Sequence, residues 1–145
     1  MGTTRRLTGV DKAFVLDNRI YGCAGSSEGC EAAPKWHAAG ADITSAPPGP
    51  WDMGIVEYDD EGQLRIRIYT HECVHGWTAS FPLTIGSGAD FALSAFMLGK
   101  TPLECLEHAG NIDIFTGGPY HTFEYASVLV KPTNRVKKSK TKRGK

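Results

Sequence analysis

The segment from residue 83 to residue 125 places the strongest constraint on how this chain can fold. It reads as a short apolar strand, a Gly-Ser-Gly turn at residues 86–88, and two helices that meet at residues 99–102. Asp113 follows the second helix, and a Thr-Gly-Gly turn (116–118) comes directly after it. The two loops bring hydroxyl groups, a carboxylate and open backbone NH groups into one neighbourhood, which is a common way to build half of a reaction centre.

Alternating apolar residues and turn residues predict two β-hairpins earlier in the chain. Strands 12–16 and 19–23 flank the two-residue turn Asp17-Asn18, and strands 53–58 and 64–69 flank the turn 59–62. In the second hairpin the apolar positions alternate with charged ones, so we expect one solvated face. These charged positions are Glu57, Arg65 and Arg67. We expect residues 45–51 to form a loop, residues 70–80 to be irregular, and residues 81–85, 121–125 and 127–130 to form further strands.

Three helices complete the prediction. The first covers residues 28–39, with Ser27 as its cap and Pro34 as a residue that either kinks it or delays its start. The second covers residues 89–98, with apolar positions 91, 92, 95, 96 and 98 at helical spacing. The third covers residues 102–112, where Thr101 and Glu104 form a capping box and Leu103, Leu106 and Ala109 form the buried stripe. The order of elements predicts one α+β domain over residues 1–130, with helices that cover an antiparallel or mixed sheet.

The charge of the chain is divided sharply between this domain and the C-terminal residues. The chain has 145 residues with 16 basic and 16 acidic side chains, but residues 131–145 hold 8 basic and no acidic ones. Residues 1–130 therefore carry 8 basic against 16 acidic side chains, a net charge of −8. We expect residues 131–145 to be a disordered basic tail that either lies on its own acidic domain or binds nucleic acid or an acidic partner. The residues for such binding are Lys137, Lys138, Lys140, Lys142, Arg143 and Lys145.

The sequence predicts a cytoplasmic protein that has no membrane partner. It contains no run of 18 apolar residues, and its first residues (MGTTRRLTGV) lack the apolar core of a signal peptide. Its four cysteines show no tight pairing pattern, which favours free thiols in a reducing compartment.

Three short motifs carry weaker predictions. Residues 71–75 match H-E-x-x-H, but they follow a strand and precede Gly76, so no helix would align His71 and His75 on a zinc ion. Residues 25–29 match G-x-S-x-G, for which a helix cap at Ser27 is the better interpretation. The turn 86–88 resembles part of a dinucleotide fingerprint without its third glycine. We therefore expect neither a metal ion nor a cofactor.

Taken together, the motifs resemble those of proteasome β-subunits and the bacterial HslV peptidase. Residues 85–118 (IGSGADFALSAFMLGKTPLECLEHAGNIDIFTGG) are similar to that family's strand, Gly-Ser-Gly turn, helix pair, aspartate and Ser/Thr-Gly-Gly turn. Residues 12–25 (KAFVLDNRIYGCAG) are similar to its lysine, hairpin and Ala-Gly turn. The resemblance covers roughly residues 10–125 and is greatest to short proteasome-like proteins of phages and prophages. It implies an Ntn-hydrolase-like α/β/β/α sandwich, a homo-oligomer, and the cytoplasm of a bacterium or a phage-infected host.

The resemblance also implies roles for individual residues. Lys12 looks like the lysine that lowers the pKa of the nucleophile, and Ser87 looks like the serine that binds the N-terminal amine. Asp113 and Thr116 look like the carboxylate and hydroxyl that position this amine. Gly25 and Ser26 would border the oxyanion hole or the substrate pocket through backbone NH groups.

In the family, the nucleophile is an N-terminal threonine at the start of a first hairpin, and this hairpin precedes the lysine. In this sequence only 11 residues precede Lys12. We therefore expect a sandwich that lacks this hairpin, and two hypotheses about function follow. The first is an inactive or incomplete peptidase that serves as an assembly or binding module. The second is a threonine-type peptidase or amidohydrolase with a peptide substrate, in which cleavage after Gly2 exposes Thr3 as the catalytic residue.

Overall fold

The computed structural model describes residues 12–113 and 122–132 and shows a mixed α+β architecture, as the sequence predicts. A five-stranded antiparallel sheet has its strands in chain order, so each strand pairs with the next. The strands are β1 (Ala13–Leu16), β2 (Arg19–Gly25), β3 (Trp51–Tyr58), β4 (Leu64–Thr70) and β5 (Cys73–Ala79). The helices are α1 (Ser27–Ala38), α2 (Ala89–Met97), α3 (Pro102–Ile112) and the short α4 (Tyr125–Val128), with a 3₁₀ turn at Ile43–Ser45.

Both predicted hairpins are confirmed. In the first, Leu16 pairs with Arg19, and the two turn residues Asp17 and Asn18 have φ angles of 52° and 55°. Left-handed values at both turn positions match the twist of the strands, and Asp and Asn tolerate them better than most residues. In the second, β3 and β4 pair from Asp52–Thr70 to Tyr58–Leu64.

The principal core lies between α1 and one face of the sheet. Trp51, Met53 and Ile55 alternate along β3 and are at most 1% exposed, and Ala33 and Trp36 of α1 are buried in the same cluster. The Trp36 indole NH donates to the carbonyl oxygen of Asp42 at 2.7 Å, so this large ring is buried with its polar atom paired. The bulky aromatic residues thus fix the position of α1 on the sheet.

The start of α1 differs from the prediction by one residue. Ser26, not Ser27, is the cap, because Ser26 has extended backbone angles and its hydroxyl accepts a hydrogen bond from the Gly29 NH at 3.0 Å. Pro34 lies inside the helix and is fully buried. The helix therefore begins at Ser27, one residue before the predicted start, and contains Pro34.

Several predicted strand assignments were wrong. Residues 73–79, which we expected to be irregular, form β5, because β4 offers an unpaired edge and a tight turn closes between Thr70 and Cys73. Residues 81–85 are not a strand, since Pro82 has no NH for a ladder hydrogen bond. In the described part of the C-terminal region, residues 122–124 are irregular and residues 125–128 are helical, so the predicted strands do not form there; His121 lies outside the described residues.

The predicted solvated face of the second hairpin is only partly solvated: Arg65 is exposed and Arg67 is half-buried, but Glu57 is not solvated. Glu57 is 7% exposed, because Arg19 and Arg65 enclose its carboxylate. On the opposite face Ile66 and Ile68 are buried as well.

The capping box of α3 is confirmed: the Thr101 hydroxyl accepts from the Glu104 NH, and the Glu104 carboxylate accepts from the Thr101 NH.

The predicted apolar stripes of α2 and α3 are only partly buried. Ala92 and Ala95 of α2 pack with Cys105 and Ala109 of α3, so the two helices meet through small residues. The larger apolar residues of these stripes stay exposed, namely Phe91, Phe96, Leu98 and Leu103. Among the described residues, no helix has the length and apolar content needed to cross a membrane.

Candidate functional site

A cleft of about 760 Å³ lies where the end of β2 approaches the loop before α2. One wall comes from Lys12, the end of β2 and Asp52, and the other from residues 83–89 and the inner faces of α2 and α3. The lining is mostly small or apolar. Its apolar members include Ala24, Leu83, Ile85, Ala89, Ala92, Leu106 and Ala109.

Ser87 and Asp113 meet at the edge of this cleft. The Ser87 hydroxyl donates a hydrogen bond to Asp113 Oδ2 at 2.5 Å. Ser87 lies just before the cap residue of α2, and Asp113 is the cap residue at the end of α3. Because α2 and α3 form a helical hairpin, the start of one helix comes beside the end of the other. The structure therefore joins the hydroxyl and the carboxylate that the sequence singled out.

Lys12 reaches the same cleft from the sheet side. Its backbone carbonyl accepts from the Cys23 NH at 2.7 Å, which fixes the main chain at the start of β1. Its ammonium donates to the Gly25 carbonyl at 3.4 Å and remains exposed. The cation therefore lies within the cleft wall and is available to a bound group.

Gly25 and Ser26 differ in what they offer to the cleft. Gly25 lines it, and its φ of +125° suits glycine; an added Cβ would lie 2.4 Å from the Pro50 carbonyl oxygen. The Ser26 NH donates to that same Pro50 oxygen at 2.9 Å, and the Ser26 hydroxyl caps α1. Both polar groups of Ser26 are therefore engaged in holding the strand-to-helix junction.

The remaining predicted site residues, Thr3 and Thr116, lie outside the described residues. The same holds for the basic tail, whose predicted binding residues are Lys137, Lys138, Lys140, Lys142, Arg143 and Lys145.

Sequence reasoning missed Asp52 and Cys23, which also line the cleft. Asp52 pairs with Ala24 across β2 and β3, so its carboxylate lies on the strand face opposite to Trp51 and Met53. The alternation W-D-M could have revealed it, but the predicted strand began only at residue 53. Cys23 has no comparable sequence signal.

The H-E-x-x-H match spans the turn between β4 and β5, not a helix. His71 Nδ1 lies 3.3 Å from the Trp51 nitrogen and 3.2 Å from its carbonyl oxygen, while Nε2 lies 3.5 Å from Glu72. Within residues 12–113 and 122–132, no group of three or more His, Cys, Asp or Glu residues is arranged to hold a metal ion. His71 lies in the turn between β4 and β5 and contacts Trp51 of β3, and His75 lies in β5.

Comparison of the chain with models of known protein families found no match, and comparison with curated proteins found none either.

Proposed function

We propose that this chain is a proteasome-like domain of the Ntn-hydrolase α/β/β/α type, which serves as an assembly or binding module for extended polypeptide. The observation that carries the proposal is the Ser87–Asp113 hydrogen bond at the cleft that Lys12 also lines. These three residues are distant in sequence. The family resemblance assigns the positioning of the nucleophile's amine to Ser87 and Asp113, and the lowering of the nucleophile's pKa to Lys12. A hydrogen bond between an exposed serine and an aspartate would not by itself indicate such a domain.

The lining of the cleft supports binding of an extended chain. Small residues such as Ala24 and Ala89 let a backbone approach closely, while Leu83 and Ile85 offer apolar contacts to side chains. Recognition of an extended peptide relies on this combination of backbone access and side-chain pockets.

The outer surface of the helical hairpin supports the assembly role. Met97 and Leu98 are 75% and 80% exposed, and Phe91, Phe96 and Ile112 add further exposed apolar area. Large apolar side chains grouped in this way favour contact with another protein. We propose a homo-oligomer in which this helical surface packs against another copy of the chain.

A second candidate function, a threonine-type amidohydrolase or peptidase, is favoured by the position of Lys12. After cleavage behind Gly2, the amine of Thr3 would take the proton of its own hydroxyl, and the hydroxyl oxygen would attack a peptide carbonyl carbon. Ser87 and Asp113 would orient the amine, and the Lys12 ammonium would favour the ionised hydroxyl by lowering its pKa.

Binding is tested by the anisotropy of a labelled, unfolded peptide titrated with the full chain. Ala89→Trp places a large ring in the cleft and should weaken binding at least about tenfold. Ala126→Trp is the matched control, because Ala126 is exposed on α4 and does not line the cleft. Equal affinity of the two variants, or an absence of binding to the unaltered protein, would contradict the binding module.

The two candidate functions are separated by intact mass and by an epoxyketone inhibitor. The hydrolase requires loss of Met1 and Gly2, a covalent adduct on Thr3 and peptidase activity. The binding module requires peptide binding without an adduct. Sedimentation at rising concentration measures the assembly, which Leu98→Lys should weaken.

The basic tail is tested separately with DNA or RNA at low salt. A deletion of residues 133–145 keeps Lys131, whose side chain contacts Gly62, and removes the basic residues that follow. If the tail binds phosphates, the deletion should abolish retention, and retention of the full chain should fall steeply as salt rises. Unchanged retention after the deletion would exclude this role.

A further inference from the structure

Asp52 places an unpaired carboxylate in the wall of the cleft. It is the second residue of β3, it is half-buried, and it belongs to the cleft lining. Among residues 12–113 and 122–132, none forms a hydrogen bond or an ion pair with its carboxylate. Glu57, on the other face of the same strand, is by contrast bound by both Arg19 and Arg65. The fold thus uses one carboxylate of β3 for its own stability and leaves the other to the cleft.

Small and apolar neighbours surround the Asp52 carboxylate. Asp52 pairs across the sheet with Ala24 of β2 and Thr70 of β4, so these three side chains share one face. The next residue of β3 on that face is Gly54, where an added Cβ would lie 3.2 Å from Leu83 Cδ2. Leu83 therefore packs on the sheet close to Asp52, and the acidic group lies beside an apolar part of the cleft.

Lys12 lines the same cleft but does not neutralise Asp52. Its ammonium donates to the Gly25 carbonyl at 3.4 Å, and no ion pair joins it to Asp52. Lys12 is exposed, whereas Asp52 is half-buried, so water screens the charge of a bound group less at Asp52 than at Lys12. Residues 1–130 also carry a net charge of −8, which attracts cationic groups to this domain.

We propose that Asp52 is a specificity residue by which the cleft selects polypeptides that carry a lysine or arginine side chain. This inference rests on the proposed binding of an extended polypeptide and names the class of polypeptide that the cleft prefers. Lysine and arginine both have an apolar stem and a cationic end. The methylene groups of the bound side chain lie on Leu83 and Ile85, which line the cleft, and its cationic end donates hydrogen bonds to Asp52.

The preference is measured by the anisotropy of three labelled nonapeptides titrated with the full chain. The peptides consist of alanine, serine and leucine and differ only at the central residue, which is lysine, acetyl-lysine or glutamate. Acetyl-lysine keeps the methylene stem and removes the charge. We expect the lysine peptide to bind about fivefold tighter than the acetyl-lysine peptide, which corresponds to a favourable, partly exposed ion pair. The glutamate peptide should bind most weakly.

Two variants assign the preference to Asp52. Asp52→Asn keeps the shape of the side chain without its charge and should reduce the preference for lysine to less than about twofold. Asp90→Asn is the matched control, because it removes the same charge from an exposed residue of α2 that does not line the cleft. It should retain the preference. Equal losses in the two variants would show that the net charge of the domain, and not Asp52, attracts the lysine peptide.

Failure of this inference can be distinguished from failure of the binding module. Equal affinity of the unaltered protein for all three peptides, or tightest binding of the glutamate peptide, would overturn the role of Asp52 and leave the binding module standing. An absence of binding to every peptide would contradict both. Because the unaltered protein alone decides between these results, the test stands even if Asp52→Asn does not fold.

Discussion

The Ser87 hydroxyl donates to Asp113 Oδ2 at 2.5 Å and so closes the open end of the α2–α3 hairpin. The other end of this hairpin is closed by the capping box of Thr101 and Glu104. The contact joins residues 26 positions apart at the edge of the cleft, where it holds the loop before α2 against the end of α3. A local hydrogen bond thereby shapes the wall of the candidate site.

Replacement of Ser87 with alanine should remove this bond and lower the free energy of unfolding by about 1 kcal/mol, the usual net contribution of a hydrogen bond. Urea denaturation measures the change. Ser80→Ala is the control, since Ser80 is an exposed loop serine for which the described structure records no hydrogen bond; it should change stability by less than about 0.5 kcal/mol. Equal effects of the two substitutions would contradict a stabilising role for the Ser87–Asp113 pair.

Gly25→Ala should be clearly more destabilising than Gly40→Ala. Both glycines have φ near +120°, so both substitutions introduce backbone strain of about 1–2 kcal/mol. Only at Gly25 would the new Cβ meet protein, 2.4 Å from the Pro50 carbonyl oxygen, whereas nothing lies within 4 Å at Gly40. Thermal or urea denaturation of both variants isolates the steric contribution, and equal losses of stability would disprove the close approach of Pro50.

Glu57→Gln should lower the free energy of unfolding by about 1 to 2 kcal/mol near pH 7, because Arg19 and Arg65 lose a charged hydrogen-bond partner. Burial alone would raise the pKa of Glu57, but the two arginines hold it below its usual value. The stabilisation is therefore complete above the unfolded glutamate pKa of about 4.3 and is lost as pH falls through the lower folded pKa.

The stability difference between the unaltered protein and Glu57→Gln should accordingly shrink below about pH 4. Urea denaturation across pH measures it, with Glu72→Gln as the control because the Glu72 side chain is 83% exposed. A difference that stays constant down to low pH would show that the charge of Glu57 contributes nothing.

Acidification should destabilise the protein through His37. Burial lowers the pKa of His37, and its Nδ1 is hydrogen-bonded to the Tyr21 hydroxyl at 2.8 Å. The unfolded chain binds a proton near pH 6.5, before the folded chain does, so stability is full above about pH 7 and falls as pH decreases towards the lower folded pKa. His37→Gln should flatten this decline, whereas the exposed His75→Gln should not. Parallel pH profiles of both variants would contradict the assignment.

Local sequence determined the elements whose signals lie within a few residues. Asp17 and Asn18 tolerate the left-handed turn of the first hairpin, and Thr101, Pro102 and Glu104 begin α3 where the capping pattern predicts. Such elements can be predicted because turn and cap hydrogen bonds join near neighbours. The loop pattern around residues 86–88 and 113 already placed a hydroxyl and a carboxylate in one neighbourhood, but the Ser87–Asp113 contact itself depends on the helical hairpin.

Only the tertiary structure decided the features that depend on distant partners. Ser26, not Ser27, caps α1 because Pro50 accepts the Ser26 NH, and Glu57 is buried because the β2–β3 pairing brings Arg19 to it. Propensity and periodicity describe neighbours along the chain, whereas burial and ion pairing depend on which surfaces meet after folding. The sequence alone therefore determined the turns and caps of this protein, and packing across the sheet decided its cleft and its buried charges.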